Sequence, residues 1–145
     1  MMIPAQPNSF KYIGYKSINK NIIGSNCITS LCRDHEGILW IGTDNDGIYG
    51  ITTELKQKVH YAPHDSPSSV PSTVFGLYED SEHNLWFGSY TNGLGRLDKK
   101  TGQCSYLQNL TDKNGNRIQR VYDLVEDQDK RLWIATMGAG LSIMT

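Results

Sequence analysis

Any surplus of positive charge is missing from this chain. Lys and Arg number 14 against 15 Asp and Glu, the net charge is −1, and no basic cluster forms. A nucleic-acid groove or an anionic membrane surface needs a concentrated positive field, so neither partner is expected. No apolar run approaches the ~18 residues of a membrane span. The opening MMIPAQPNSF has no basic n-region and no apolar h-region, so no signal peptide is read and no membrane insertion by this segment is expected. Cysteine is scarce: Cys27, Cys32 and Cys104, an odd count without a Cys-x-x-Cys pair. Neither a disulfide framework nor a structural zinc site is expected from that pattern. Cys27 and Cys104 pair only if the fold joins them, and Cys32 reads as a small buried hydrophobe. Long aliphatic runs are also absent. What is present is 14 Gly, eight Tyr and three Trp in 145 residues, with an apolar share of 38%. That balance belongs to an all-β domain.

The chain repeats itself. Trp40, Trp86 and Trp133 lie 46 and 47 residues apart, and three segments superpose around them without gaps. They are ITSLCRDHEGILWIGTDNDGIYGIT, VFGLYEDSEHNLWFGSYTNGLGRLD and VYDLVEDQDKRLWIATMGAGLSIMT. Each has an aspartate six residues before the Trp (Asp34, Asp80, Asp127) and a glycine seven residues after it (Gly47, Gly93, Gly140). Apolar positions alternate as in short strands, and no helical spacing of i, i+3, i+4, i+7 recurs. Strand a is expected over 28–33, 74–79 and 121–126. A tight turn follows at the aspartate, whose side chain can accept backbone N–H groups. Strand b carries Leu-Trp, and the glycine, at φ > 0, closes a hairpin into strand c. Strand d is expected at 58–61 and 104–107, and residues 9–13 have the same alternating look.

Four-stranded units with a period in the forties are β-propeller blades. The expected fold is therefore all-β: a β-propeller of four-stranded antiparallel blades, with three blade repeats in this chain. The blades span 26–62, 73–108 and 120–145, the last lacking its outer strand, and 9–13 is a candidate to supply one. Three blades leave two open blade faces. A homo-oligomer, or further blades of a longer chain, is the expected partner.

The motif runs apolar-x-x-Leu-x-x-Asp, then Leu-Trp-[Ile/Phe]-[Gly/Ala]-[Thr/Ser], three variable residues, and Gly-[Ile/Leu]. It resembles the two-component regulator propeller repeat over nearly the whole chain, from about residue 9 to 145. WD40 and kelch signatures do not fit. The resemblance implies a periplasmic sensor region of a hybrid histidine kinase, in a family that usually builds two seven-bladed propellers and a β-sandwich. It also implies recognition of a glycan fragment outside the cytoplasm. No membrane helix, kinase His box or receiver domain occurs in these 145 residues, so only the sensor-module fold carries over.

Positions shared by all three copies serve the blade, and positions that differ are free to serve a ligand. Trp40, Trp86 and Trp133 are thus expected between blades. Each ring buries ~150–250 Å², worth about 4–6 kcal/mol at most. Asp34, Asp80 and Asp127 are expected as turn formers. Antiparallel alternation puts the b–c and d–a loops on one face, and those loops vary most. Asp44, Asn45, Asp46, His64, Tyr90, Asn92 and Arg117 there supply planar polar groups and an aromatic, the repertoire of an oligosaccharide site. Asp112, Asn114, Asn116 and Asp123 fall on ligand positions of a calcium loop. Arg117, however, stands where the sharp turn wants glycine. No metal, cofactor or catalytic residue is expected. The four histidines share no repeat position, and no Gly-x-Ser-x-Gly elbow or phosphate loop occurs.

Overall fold

A computed structural model of the chain describes residues 9–14 and 22–145. Three antiparallel sheets follow one another. The first blade is β1 (Ile28–Arg33), β2 (Leu39–Thr43), β3 (Ile48–Ile51) and β4 (Gln57–Tyr61). The second is β5 (Val74–Glu79), β6 (Leu85–Ser89), β7 (Leu94–Leu97) and β8 (Cys104–Tyr106). The third is β9 (Val121–Glu126), β10 (Leu132–Thr136) and β11 (Leu141–Met144). Each sheet is a meander, and the strands β1, β5 and β9 pack side by side. The chain forms three successive blades of a β-propeller.

Alternation decides which blade face each side chain meets. On the first blade, Trp40 and Ile48 face the second blade and join Val74, Leu77, Phe87 and Leu97 in one core. Trp86 and Leu94 repeat this against Val121, Leu124 and Ile134 of the third blade. Among the described residues no further blade packs on Trp133, which is only half-buried. The tryptophans are therefore inter-blade core where a blade follows.

Turn geometry repeats as well. Asp34, Asp80 and Asp127 each accept two backbone N–H groups of the a–b turn through Oδ1, at 2.8–3.0 Å. Gly47 closes the b–c hairpin at φ 72, and a side chain there would run into the Tyr61 carbonyl oxygen. The calcium-like string at 112–123 is another such turn. Asp112 Oδ1 accepts the Asn114 and Asn116 N–H groups, and Thr111 bridges Arg117.

Residues 9–13 correct the sequence reading, because they form no strand. The third sheet has three strands, in the order β11-β10-β9. Phe10 and Tyr12 are exposed, while Ile13 packs on the opposite end of the arc. There it joins Ile22 and Ile23 over Ile41, Tyr49 and Ile51, the face of the first blade turned away from the second. The nearest uncovered apolar surface captures the segment, and the distant edge of β11 does not. Cys27, Cys32 and Cys104 are all free thiols.

Candidate functional site

The b–c and d–a loops do share a face, and they are bonded together there. Gly47 N–H donates to the Ser72 carbonyl at 3.2 Å, and Gly93 N–H to that of Gln119 at 2.7 Å. Each b–c hairpin is thus braced by the d–a loop leading into the next blade.

Three of the sequence-expected residues meet in one cleft. His64, Tyr90 and Asn92 line an open space of about 380 Å³ together with Ser66, Ser69 and Thr73. Its volume lies at the lower end of the range for small-ligand sites. Tyr90 is 44% exposed. Its ring lies beneath the Arg120 guanidinium, 4.7 Å from the centroid, and meets the Phe75 ring edge-on with centroids 6.4 Å apart. Phe75 in turn lies 5.1 Å from the ring of Tyr122. The aromatic row leads into a second cleft of about 380 Å³, where Phe75 and Tyr122 are joined by Ser30 and Asp123 beside the innermost strands. Two exposed tyrosine rings, Tyr90 and Tyr122, joined through the half-buried Phe75 and flanked by a hydroxyl, a carboxylate and a guanidinium, can stack on an apolar ligand face and hydrogen-bond its rim.

Arg117 serves the loop itself. It is half-buried, and its guanidinium donates to the Asn92 carbonyl at 2.8 Å and to the Leu107 carbonyl at 3.4 Å. Asp44, Asn45 and Asp46 lie apart, in a separate shallow depression beside Gly24, Ser25 and Asn26. Thr73 donates to Asp44 at 2.7 Å. Asp46 accepts the Tyr49 hydroxyl, and the His60 ring stacks on Tyr49 at 3.8 Å while bonding the Asp46 carbonyl at 2.9 Å. Burial and the bond to Asp46 push the Tyr49 hydroxyl up to about 12. These carboxylates brace the first hairpin.

Phe75, Tyr122 and Arg120 escaped the sequence reading. The signal was available: Phe75 and Tyr122 occupy one repeat position, where the first blade has Thr29, and Arg120 aligns with Thr73.

Comparison with known proteins supplies the family. The model of the two-component regulator propeller matches residues 22–45, 68–91 and 114–138. Histidine kinase P4 of Formosa agariphila is 30% identical over 79 residues, which take in 51% of this chain and 6% of the kinase. The extracellular domain of a hybrid two-component system from B. thetaiotaomicron superposes with a TM-score of 0.71 at 26% identity, over 96% of this chain and 19% of that one. A second such domain from the same organism gives 0.63 at 25%, over 82% and 16%. The chain thus spans less than a fifth of the length of each of these relatives. With three matched repeats lying on three successive blades, the chain belongs to the two-component regulator propeller family.

Proposed function

We propose that this segment is part of the sensor region of a two-component regulator and that it binds an oligosaccharide outside the cytoplasm. It acts by binding, and signal transfer belongs to other parts of the regulator. The observation that carries the reading is Tyr90: an exposed ring in contact with Arg120 and Phe75, on the variable-loop face, lining a polar cleft. Sugar rings present an apolar face edged with hydroxyls, and an aromatic platform beside polar groups complements that chemistry. The extracellular placement of the solved relatives supports the compartment. The experiment is calorimetry against an oligosaccharide panel, with Tyr90→Ala as the control. A binder should lose about tenfold in affinity on removal of the ring, the equivalent of ~1.4 kcal/mol. Heat that is the same with and without the Tyr90 ring would sink the site, and product formation on the panel would make the segment an enzyme.

A second reading, assembly, is favoured by a specific face. Val125, Leu141 and Ile143 of the third blade are 53%, 61% and 48% exposed. We infer that a further blade of the same repeat docks there. A second copy of this chain fits less well. Its first blade already has Ile41, Tyr49 and Ile51 covered by Ile13, Ile22 and Ile23. It would also bring Arg33 to the position where the second and third blades carry Glu79 and Glu126.

A further inference from the structure

The junction between the first two blades holds a histidine cluster that the proposed sugar site does not use. His35 follows Asp34 in the a–b turn of the first blade. Its backbone N–H and its Nδ1 each lie 2.9 Å from a carboxylate oxygen of Glu79, the last residue of β5. His83, in the a–b turn of the second blade, stacks on His35 with ring centroids 3.7 Å apart and planes at 19°. Its Nδ1 is 3.9 Å from Glu79 Oε1. One donor atom from each of the three side chains falls within 4.8 Å of the others. Lys99 Nζ lies 2.6 Å from Glu79 and 3.3 Å from Asp34.

The next junction shows what a blade pair requires at this place. There Glu126 accepts the Ser81 backbone N–H at 3.0 Å and the Ser81 hydroxyl at 3.1 Å. Ser81 is the repeat equivalent of His35, so a hydroxyl is enough to close the latch. His83 stands where the first blade has Gly37 and the third has Lys130, and all three are left-handed, at φ 69, 86 and 62. Glycine is at ease in that region and an imidazole is not needed there. Both histidines are therefore additions to the blade plan, and they converge on one carboxylate from two different blades.

We propose that His35, Glu79 and His83 form a zinc-class divalent metal site that clamps the first blade to the second. Two imidazoles and a carboxylate are a ligand set for Zn²⁺, with water in the fourth position. Metal–donor bonds of ~2.0–2.1 Å in tetrahedral geometry put donor atoms about 3.3 Å apart. The His35–Glu79 distance of 2.9 Å lies within a few tenths of an ångström of that. The 3.9 Å from His83 is to the other carboxylate oxygen, Oε1, and closes by turning a ring that is 55% exposed. The stack must open on binding, because two near-parallel planes 3.7 Å apart cannot both contain one ion. Lys99 holds the same Glu79 Oε2 that meets His35 and must swing toward Asp34 as the ion binds; Asp34 and Glu79 outnumber it and leave a net negative charge for a cation to meet. Because the ligands come from both blades, occupancy tightens the junction.

The internal repeat supplies substitutions that keep the fold. His83→Gly installs the residue of the first turn, and His35→Ser installs that of the second junction. The test is calorimetric titration of the chain with zinc chloride, with thermal unfolding followed in parallel. The expected result is one ion per chain and a raised melting temperature. Either variant should weaken binding by about tenfold or more while circular dichroism stays native. If one variant fails to fold, the other still decides. The site is overturned if zinc gives neither heat nor a melting shift, or if the double variant His35→Ser/His83→Gly still binds one ion with unchanged affinity.

Discussion

Trp40 donates its indole N–H to Oδ2 of Asp34 at 2.8 Å, while Oδ1 of the same aspartate holds the backbone N–H groups of Glu36 and Ile38. The pair recurs as Trp86 with Asp80 and Trp133 with Asp127, again at 2.8 Å. One carboxylate thus fixes the turn and orients the ring that the next blade packs upon. Asp34 is the most enclosed of the three, at 6% exposure. Asp34→Ala removes the partner of four donors: the Glu36 and Ile38 N–H groups, the buried Trp40 indole and the Lys99 ammonium. It should destabilise the chain by about 2–4 kcal/mol in urea unfolding. A loss below about 0.5 kcal/mol would show that water replaces the carboxylate at little cost.

Acid should loosen the same joints. Burial by itself would raise the Asp34 carboxyl, but the N–H groups of Trp40 and Ile38 and the ammonium of Lys99 outweigh it and hold the group below its usual value. Asp80 is lowered in the same way, with Trp86 and Asn84 outweighing burial. Asp127 is lowered chiefly by its bond from Trp133. A carboxyl depressed in the folded state contributes stability above its unfolded value, ~3.9 for Asp, and loses it as pH falls through the folded value. Urea midpoints should therefore hold steady down to about pH 5 and fall steeply below about pH 4. A profile that is flat to about pH 3 would mean that these carboxylates have the same proton affinity folded and unfolded.

Two glycines with the same backbone angle should differ in cost. Gly47 and Gly140 sit at φ 72 and 75, so alanine at either pays for a left-handed conformation, about 1 kcal/mol. At Gly140 an added methyl meets open space. At Gly47 it meets the Tyr61 carbonyl, with Val70 and Pro63 close behind. Gly47→Ala should therefore cost at least about 1 kcal/mol more than Gly140→Ala, the low end of an overpacking penalty. Equal melting temperatures for the two variants would show that the d–a loop yields freely.

Most of the blade was legible because its physics is local. Alternation around Trp40, Trp86 and Trp133 gave the strands, and 28–33, 74–79 and 121–126 coincide with β1, β5 and β9. The recurring aspartates identified the turns, although not the indole bond, which depends on how a ring six residues away is aimed. What escaped was set by long-range placement. No local signal tells residues 9–13 that their apolar side chain is taken up by the first blade. Arg117 and Asp46 read as ligand groups because their polarity is visible in sequence and their loop partners are not. Tyr90 and Asn92 were visible as variable loop positions. Phe75 and Arg120, which give Tyr90 its setting, come from the neighbouring strand and the next d–a loop.

Leu141 offers the last test, of what covers the third blade. It is the repeat equivalent of Ile48 and Leu94, both 0% exposed, yet it is itself 61% exposed. If a further blade supplied by a longer chain is the natural cover, the face of this segment alone is bare in solution. Leu141→Asp should then change unfolding free energy by no more than about 0.5 kcal/mol, as for an exposed site. It should also reduce the binding of a hydrophobic dye. Leu94→Asp, which buries an unpaired carboxylate between the second and third blades, should cost more than about 4 kcal/mol. Should Leu141→Asp prove as damaging as Leu94→Asp, and should light scattering show that it dissociates an oligomer, the face is covered by a second copy. The inference of a following blade would then fail.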